Sequence, residues 1–373
     1  MVYGNIDGYN MMRRYKRIKY LKRHNKKVQA NLKRQKAKRK IIKKRLRERR
    51  IQNRRLRKNE YLLKKAAKHP FSLIVPSDFR LLDNPEQCVH FFRSLLNKDN
   101  AYISNGEMLQ LSLEMSDIKN IDFPAVMMLE AICEELSHSQ CNVHGNSPRD
   151  KKSLQFLHNA GFYNMKYDIY GHRIFDPGNR QVIDIKMGEK LIQVKNLLEF
   201  ITLMENTKKH LLADVEISID NYVAILKEIC GNSTEWCNNK RRNWTIAAKF
   251  EEQEVKFVAL DLGQGIIKSL NKRFKDQMFE IFKKKPNHKV LKDVFNEYYG
   301  SKSKDPNRNQ GLPFIRKCSE ACIIKDLKVI TNNAIIGFDG NNHDFTFAND
   351  NKGLKGTLYS WSIDINCLNC KLK

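Results

Sequence analysis

Residues 13–68 carry 28 lysines and arginines against two acids, Glu48 and Glu60. A segment of that charge density cannot furnish a packed core: its charges repel one another, and Ile18, Leu21, Val28, Leu32, Ile42, Leu46 and Leu56 are too sparse for a continuous apolar stripe. Folding must come from the remainder, where residues 69–373 hold 41 basic and 38 acidic residues. The formal net charge of +28 therefore belongs almost wholly to one arm. That arm has neither Pro nor Gly and consists mostly of good helix formers, which predicts partial helicity alone and an extended helix once its charge is neutralised. A phosphate backbone neutralises it and gains from counterion release, so residues 1–68 are read as an arm that binds nucleic acid largely regardless of sequence. The candidate contacts are Arg34, Lys36, Lys38, Arg39, Lys40, Lys43, Lys44, Arg45, Arg47, Arg49, Arg50, Arg54 and Arg55. A solvated tail, or one that grips an acidic protein or an anionic lipid surface, is the alternative, with insertion into a membrane disfavoured by the lack of an apolar face. Charge does not decide between RNA and DNA.

The length of 373 residues suggests two to three folding units. No uncharged apolar run approaches eighteen residues and no apolar stretch follows the basic N-terminus, which predicts a cytoplasmic protein without membrane span or secretory signal. Nine cysteines, odd in number and scattered, do not suit a disulfide framework. Cys318 with Cys322 and Cys367 with Cys370 could offer four thiolates to zinc, although free thiols are the favoured reading.

After His69 and Pro70 end the arm, strands and helices alternate. A strand at Phe71–Val75 precedes a helix from about Pro85 with Asn84 as N-cap. "MLQLSLEM" alternates as a strand, "FPAVMMLEAICEEL" has helical spacing, "CNVHG" is a short strand and "SPRDKKSLQFLHNAGF" a capped helix. Residues 164–190 are rich in turn signals and are predicted to form a connector with one short hairpin. Two long helical stretches follow, then strands "NWTIAAKF" and "VKFVALDLG", a lysine-rich stretch, and the strands "DLKVIT", "AIIGF", "DFTFA" and "GTLYSWSID". The fold class is α/β, with the second half a sandwich of helices on one face of a sheet.

"LEMSDIKNIDFPAVMMLEAICEEL" with "NVHGNSPRDKKSLQFLHNAGFY" resembles the STAS domains of bacterial anti-sigma-factor antagonists, which implies a STAS-like unit over residues 69–163. In phosphorylated members a serine follows the aspartate at the helix start. Here Asp122 is followed by Phe123 and Pro124, so this unit is expected to pack or dock, as a surface for a protein partner or a second copy, rather than react.

In the second half, Glu228 and Asn232 stand four apart on a predicted helix and so share one face. Asp261, Gly263 and Gly265 follow, then Gly311 and Leu312 before a further helix, and last Gly356 and Thr357 opening a strand. This ordered set resembles the GHKL ATP-binding fold of histidine kinases, anti-sigma-factor kinases and type II topoisomerases, over residues 191–373. The resemblance implies ATP and Mg²⁺ as cofactors. Asn232 would hold Mg²⁺, Glu228 would orient or deprotonate the attacking water, and Asp261 would accept from the adenine amino group. Gly263 and Gly265 would let backbone approach the nucleotide, Gly311 would open a phosphate-facing helix, Thr357 would sit near adenine, and Leu312 and Gly356 belong to the same nucleotide-binding set. Residues 266–309 would form a mobile lid. The physical chemistry is compatible: Mg²⁺ prefers oxygen ligands and keeps several waters, and free N–H groups at a helix start attract anions.

The expected function is an ATP-binding regulator, with slow hydrolysis, whose nucleotide state switches domain or partner contacts while the arm holds nucleic acid. The alternatives are an anti-sigma-type serine kinase and a nucleic-acid-binding scaffold with an inactive ATPase fold.

Overall fold

The stretch "EVKFVALD" is apolar at most positions after its first residue, a pattern that only a strand covered on both faces can satisfy. In the computed structural model of the protein the described residues are 72–97, 102–104, 108–163, 183–188, 192–211, 217–236, 244–273, 285–296, 311–338, 340, 344–347 and 353–372, with Lys19 and Lys26. Lys68–Lys166 and Arg173–Lys373 form one compact unit; Met1–Ala67 group separately with Tyr167–His172, and of these only Lys19 and Lys26, both helical and exposed, are described. The thirteen arm residues named above lie outside the described residues.

The first half contains β1 (Leu73–Ile74), β2 (Asp78–Phe79), α1 (Pro85–Leu96), β3 (Tyr102–Ser104), β4 (Met108–Glu114), β5 (Asn120–Ile121), α2 (Phe123–His138), β6 (Cys141–Gly145) and α3 (Lys151–Asn159). Strand β4 is central, with β6 parallel along one edge and β1, parallel, sharing the other with β3, antiparallel. The second half contains β7 (Ile183–Gly188), α4 (Val194–His210), α5 (Asp220–Trp236), β8 (Trp244–Phe250), β9 (Glu254–Asp261), α6 (Ile266–Arg273), α7 (Asn287–Phe295), α8 (Gly311–Glu320), β10 (Lys325–Asn332), β11 (Ala334–Gly337), β12 (Phe345–Thr346), β13 (Leu354–Asp364) and α9 (Ile365–Asn369). Its strands form an antiparallel sheet in the order β12-β11-β10-β13-β9-β8-β7. The protein is thus mixed α/β with parallel and antiparallel sheets.

Two hydrophobic cores result. One joins the first half to the back of the large sheet, where Val258, Leu260, Ile330 and Leu358 meet α1 and α2. The other fills the front of that sheet, where Val255, Phe257, Val329, Tyr359 and Trp361 meet α4, α5, α7 and α8. The layers therefore run sheet, helices, sheet, helices.

Helix α2 shows why. Asp122 caps it by accepting from the Ala125 N–H at 2.8 Å, Pro124 occupies its first turn, and ten of its sixteen residues are buried. A helix apolar on most of its circumference needs cover on two sides, and α2 finds it between β6 and β9. The docking surface expected on this unit is, at α2, already used within the chain.

Several expectations change. Asn84 precedes α1 as predicted, yet its side chain does not cap the helix; it donates to the Asp78 carbonyl at 2.8 Å and to Gln87. Within the stretch read as connector, residues 183–188 form a strand paired with β8, which the alternation of "IDIKMG" suits, and residues 164–182 and 189–190, the rest of the stretch in which a short hairpin is expected, lie outside the described residues. Residues 287–295 of the expected mobile lid form α7, with Val290, Leu291 and Phe295 fully buried against the sheet end. His288 clasps it to Thr346 through both its backbone N–H and its ring.

A core continuous across both halves makes a cross-molecule prediction. All three tryptophans, Trp236, Trp244 and Trp361, lie in the second half. Leu129→Ala in α2 is expected to lower the stability read by tryptophan fluorescence in urea by about 2–5 kcal/mol, as for other buried leucines. An unchanged fluorescence midpoint would show that the halves unfold independently.

Candidate functional site

Alternation along β9 puts Asp261 on the same face as Val255, Phe257 and Ala259, so its carboxyl is turned into the front helix layer, 7% exposed. Strand register sets Thr357 of β13 beside it and Thr331 of β10 beside Thr357. A polar row thus crosses three adjacent strands at one end of an otherwise apolar face, and Thr331 and Thr357 are as buried as the acid. From the helix layer, Ser233 of α5 faces the Asp261 carboxyl and opposes its upward shift, while the Ser233 hydroxyl donates to the Ile229 carbonyl at 3.0 Å.

Asp261 Oδ1 accepts from the Gly263 N–H at 2.7 Å, a turn that aspartate makes with the backbone two residues on. Burial pushes the carboxyl up to about 7, outweighing the opposing pull of Gly263, Ser233 and Thr357. Asp122, under α2, is likewise pushed up to about 6 by burial against the pull of backbone N–H groups.

Asn232 precedes Ser233, and Glu228 lies one helical turn earlier on the same flank of α5. The Asn232 Nδ2 is buried without a hydrogen-bond partner, a state that costs free energy unless something else satisfies it. The Glu228 carboxylate lies against Gly311, the first residue of α8, so closely that a Cβ on Gly311 would collide with it. Leu312, next in the helix, packs on the front core.

The structure therefore brings together Glu228 with Gly311, and Asp261 with Gly263, Gly356 and Thr357, while Ser233, next to Asn232 on α5, lies near Asp261. Two glycines are explained differently from the expectation. Gly265 has φ +81°, and a Cβ there would meet the Asn332 amide and the Thr331 hydroxyl at 2.6–2.7 Å. Gly356 has φ +102° and sits in a bulge of β13, two residues after the strand begins, where a Cβ would strike the Asp261 carbonyl. Both close approaches are to protein. The lid residues 274–284 and 297–309 lie outside the described residues.

Sequence reasoning passed over Ser233, Thr331 and Asn332. The available signal was the Thr-Asn-Asn that ends the apolar run of "KVITNN", polar residues where a strand buried on both faces should remain apolar. The cysteine pairs are unevenly placed: Cys318 and Cys367 are buried, Cys370 is half-buried and Cys322 exposed. Among the described residues no group of three or more His, Cys, Asp or Glu side chains is arranged to hold a metal ion, and no helix is long and apolar enough to cross a membrane. Comparison with protein-family models, curated proteins and solved structures found no match.

The two raised carboxyls predict a pH dependence. Unfolded, each titrates near the ordinary carboxylate value of about 3.9; folded, each keeps its proton to higher pH. Between about 4 and 7 the folded state binds more protons than the unfolded one, so stability falls as pH rises through that window. The melting midpoint of ligand-free protein should decline from pH 4 to 7, and Asp261→Asn should remove the decline above pH 6 while leaving the part due to Asp122. Equal slopes for variant and wild type between pH 6 and 7 would count against a dry Asp261.

Proposed function

We propose that the protein is an ATP-binding regulator of GHKL type, joined to a STAS-like unit, whose basic arm engages nucleic acid. The observation that carries the reading is the pairing at one end of the sheet of Asp261, a deeply buried acid, with Thr357, together with the unpartnered amide of Asn232 on α5, the helix that packs on β9. An acid buried there without a cation is costly unless it serves as a hydrogen-bonding group, and a directional partner for an exocyclic amine is what it can provide. The antiparallel sheet with helices on its front supports the sandwich assignment, and the mixed sheet with parallel β1, β4 and β6 and with α2 behind it supports the STAS-like one.

The residues fit the cofactors. A side-chain amide offers a donor to a phosphate oxygen and a carbonyl oxygen to Mg²⁺, and Asn232 Nδ2 is an orphaned donor. Gly311 leaves the start of α8 open toward Glu228. When bound, Mg²⁺–ATP supplies an electrophilic phosphoryl group with its charge partly offset by the ion. In this reading Asp261 and Thr357 orient the base, Asn232 holds the ion, and Glu228 orients the attacking water or takes its proton. The arm, by its charge, brings the unit to nucleic acid.

A titration of full-length protein and of a form lacking residues 1–68, with ATP, Mg²⁺, RNA and DNA, tests this. At 100-fold over Kd, ATP should stabilise both forms by about 2.7 kcal/mol. Asp261→Asn and Asn232→Ala should each abolish most of that gain. Nucleic-acid binding should be steeply salt-dependent and confined to the full-length form. No thermal shift with ATP at millimolar concentration, or an Asp261→Asn response equal to wild type, would overturn the nucleotide reading; release of free phosphate rather than labelling of protein would favour the switch over a kinase.

A further inference from the structure

Thr331 and Asn332 close β10, 0% and 4% exposed, and have no part in the roles assigned above. Their side chains bind two separate loops. The Ile266 N–H donates to Thr331 Oγ1 at 3.0 Å, and the Thr331 hydroxyl donates to the Gly356 carbonyl at 3.0 Å with its oxygen 3.2 Å from Thr357 Oγ1. Asn332 Oδ1 accepts from the Lys268 N–H at 3.2 Å, while its Nδ2 donates to the Gln264 carbonyl at 2.9 Å. Asn332 has φ +53°, a left-handed conformation that asparagine tolerates better than most residues.

Ile266 and Lys268 belong to the first turn of α6, whose N–H groups have no partner within their own helix. Two side chains from a neighbouring strand therefore cap α6 from across the sheet. The cap determines more than the helix. Gly263 holds Asp261 Oδ1, Gly265 has no room for a Cβ because Thr331 and Asn332 stand there, and Thr331 also touches Thr357. The loop after Asp261 and the hydroxyl of Thr357 are thus referred to one point.

We infer that Thr331 and Asn332 are positioning residues of the nucleotide site, a clip that holds the Asp261–Gly265 loop and Thr357 in one mutual arrangement for the base. The inference rests on the nucleotide-binding reading. It also assigns the start of α6 to the clip and leaves the phosphate-facing role to the start of α8.

The test compares Thr331→Val, which keeps shape and removes the hydroxyl, with Thr331→Ser, which keeps the hydroxyl. Asn332→Asp retains the acceptor for Lys268 and removes the donor to Gln264. ATP with Mg²⁺ is titrated well below each melting midpoint, and exchange of the Ile266 amide hydrogen is followed. Thr331→Val should weaken ATP binding about tenfold, the effect of two modest hydrogen bonds, and speed Ile266 exchange. Thr331→Ser should stay within about twofold of wild type, and Asn332→Asp should lose about threefold to fivefold. Wild-type ATP affinity in Thr331→Val or Asn332→Asp, even with a lowered melting midpoint, would overturn the clip and leave the nucleotide reading standing. So would a Thr331→Ser variant as weak as Thr331→Val. Wild-type protein that binds no ATP would instead overturn the nucleotide reading, and the clip with it.

Discussion

Strand β9 is buried on both faces and ends in an acid. Its back residues Val258 and Leu260 are locked into the core shared with α1 and α2, so the strand cannot rotate to bring Asp261 to solvent without exposing them. The carboxyl must therefore be accommodated where it is, against Cys230, Ser233 and Tyr359 in the front layer, and burial answers by favouring its protonated form. The neighbouring strands place Thr357 and Thr331 alongside, which extends the polar region in the one direction where backbone register makes room. The first half of the chain is thus part of the site's construction even though none of its residues enters it.

Helices and strands were legible wherever periodicity was strong. The two long helices of the second half, "VKNLLEFITLMENTKKH" and "DNYVAILKEICGNSTEW", and the strands β8 to β13 follow their apolar patterns closely. What could not be read was partnership over distance. Residues 183–188 alternate as any edge strand does, and only the pairing with β8, some sixty residues on, shows which sheet they join. In the same way the apolar circumference of α2 announces burial on two sides without naming β9 as the second. The candidate site divides along the same line. Spacing on one helix was enough to put Glu228 and Asn232 on one flank, whereas Thr331 and Asn332 owe their place to the bulge at Gly356, which no local pattern encodes.

The glycines bear on how the functional argument should be weighted. Gly265 and Gly356 are each required by left-handed backbone and by close approach to protein, so their presence is accounted for before any ligand is invoked. A fold could need both and bind nothing. Among the groups that packing leaves unexplained are an amide on Asn232 with no partner and an acid at the end of a strand that would be more stable apolar; buried polar atoms of Gln110, Trp244 and Arg316 also lack partners. These costs, not the glycine boxes, are the physical case for a ligand.

Two helix starts adjoin the region, and they are not equivalent. The Ile266 and Lys268 N–H groups in the first turn of α6 are spent on Thr331 and Asn332, so an anion there would have to displace those hydrogen bonds. At α8 the described group nearest the first residue is the Glu228 carboxylate, itself an anion drawn to the positive end of a helix. On the proposed reading, a phosphate approaching α8 meets that carboxylate as a like charge, and an ion of opposite sign between them turns repulsion into a shared attraction. Asn232, one turn along α5 from Glu228, is where such an ion would be held. On that reading divalent cation and nucleotide would be interdependent, each lowering the electrostatic cost of the other.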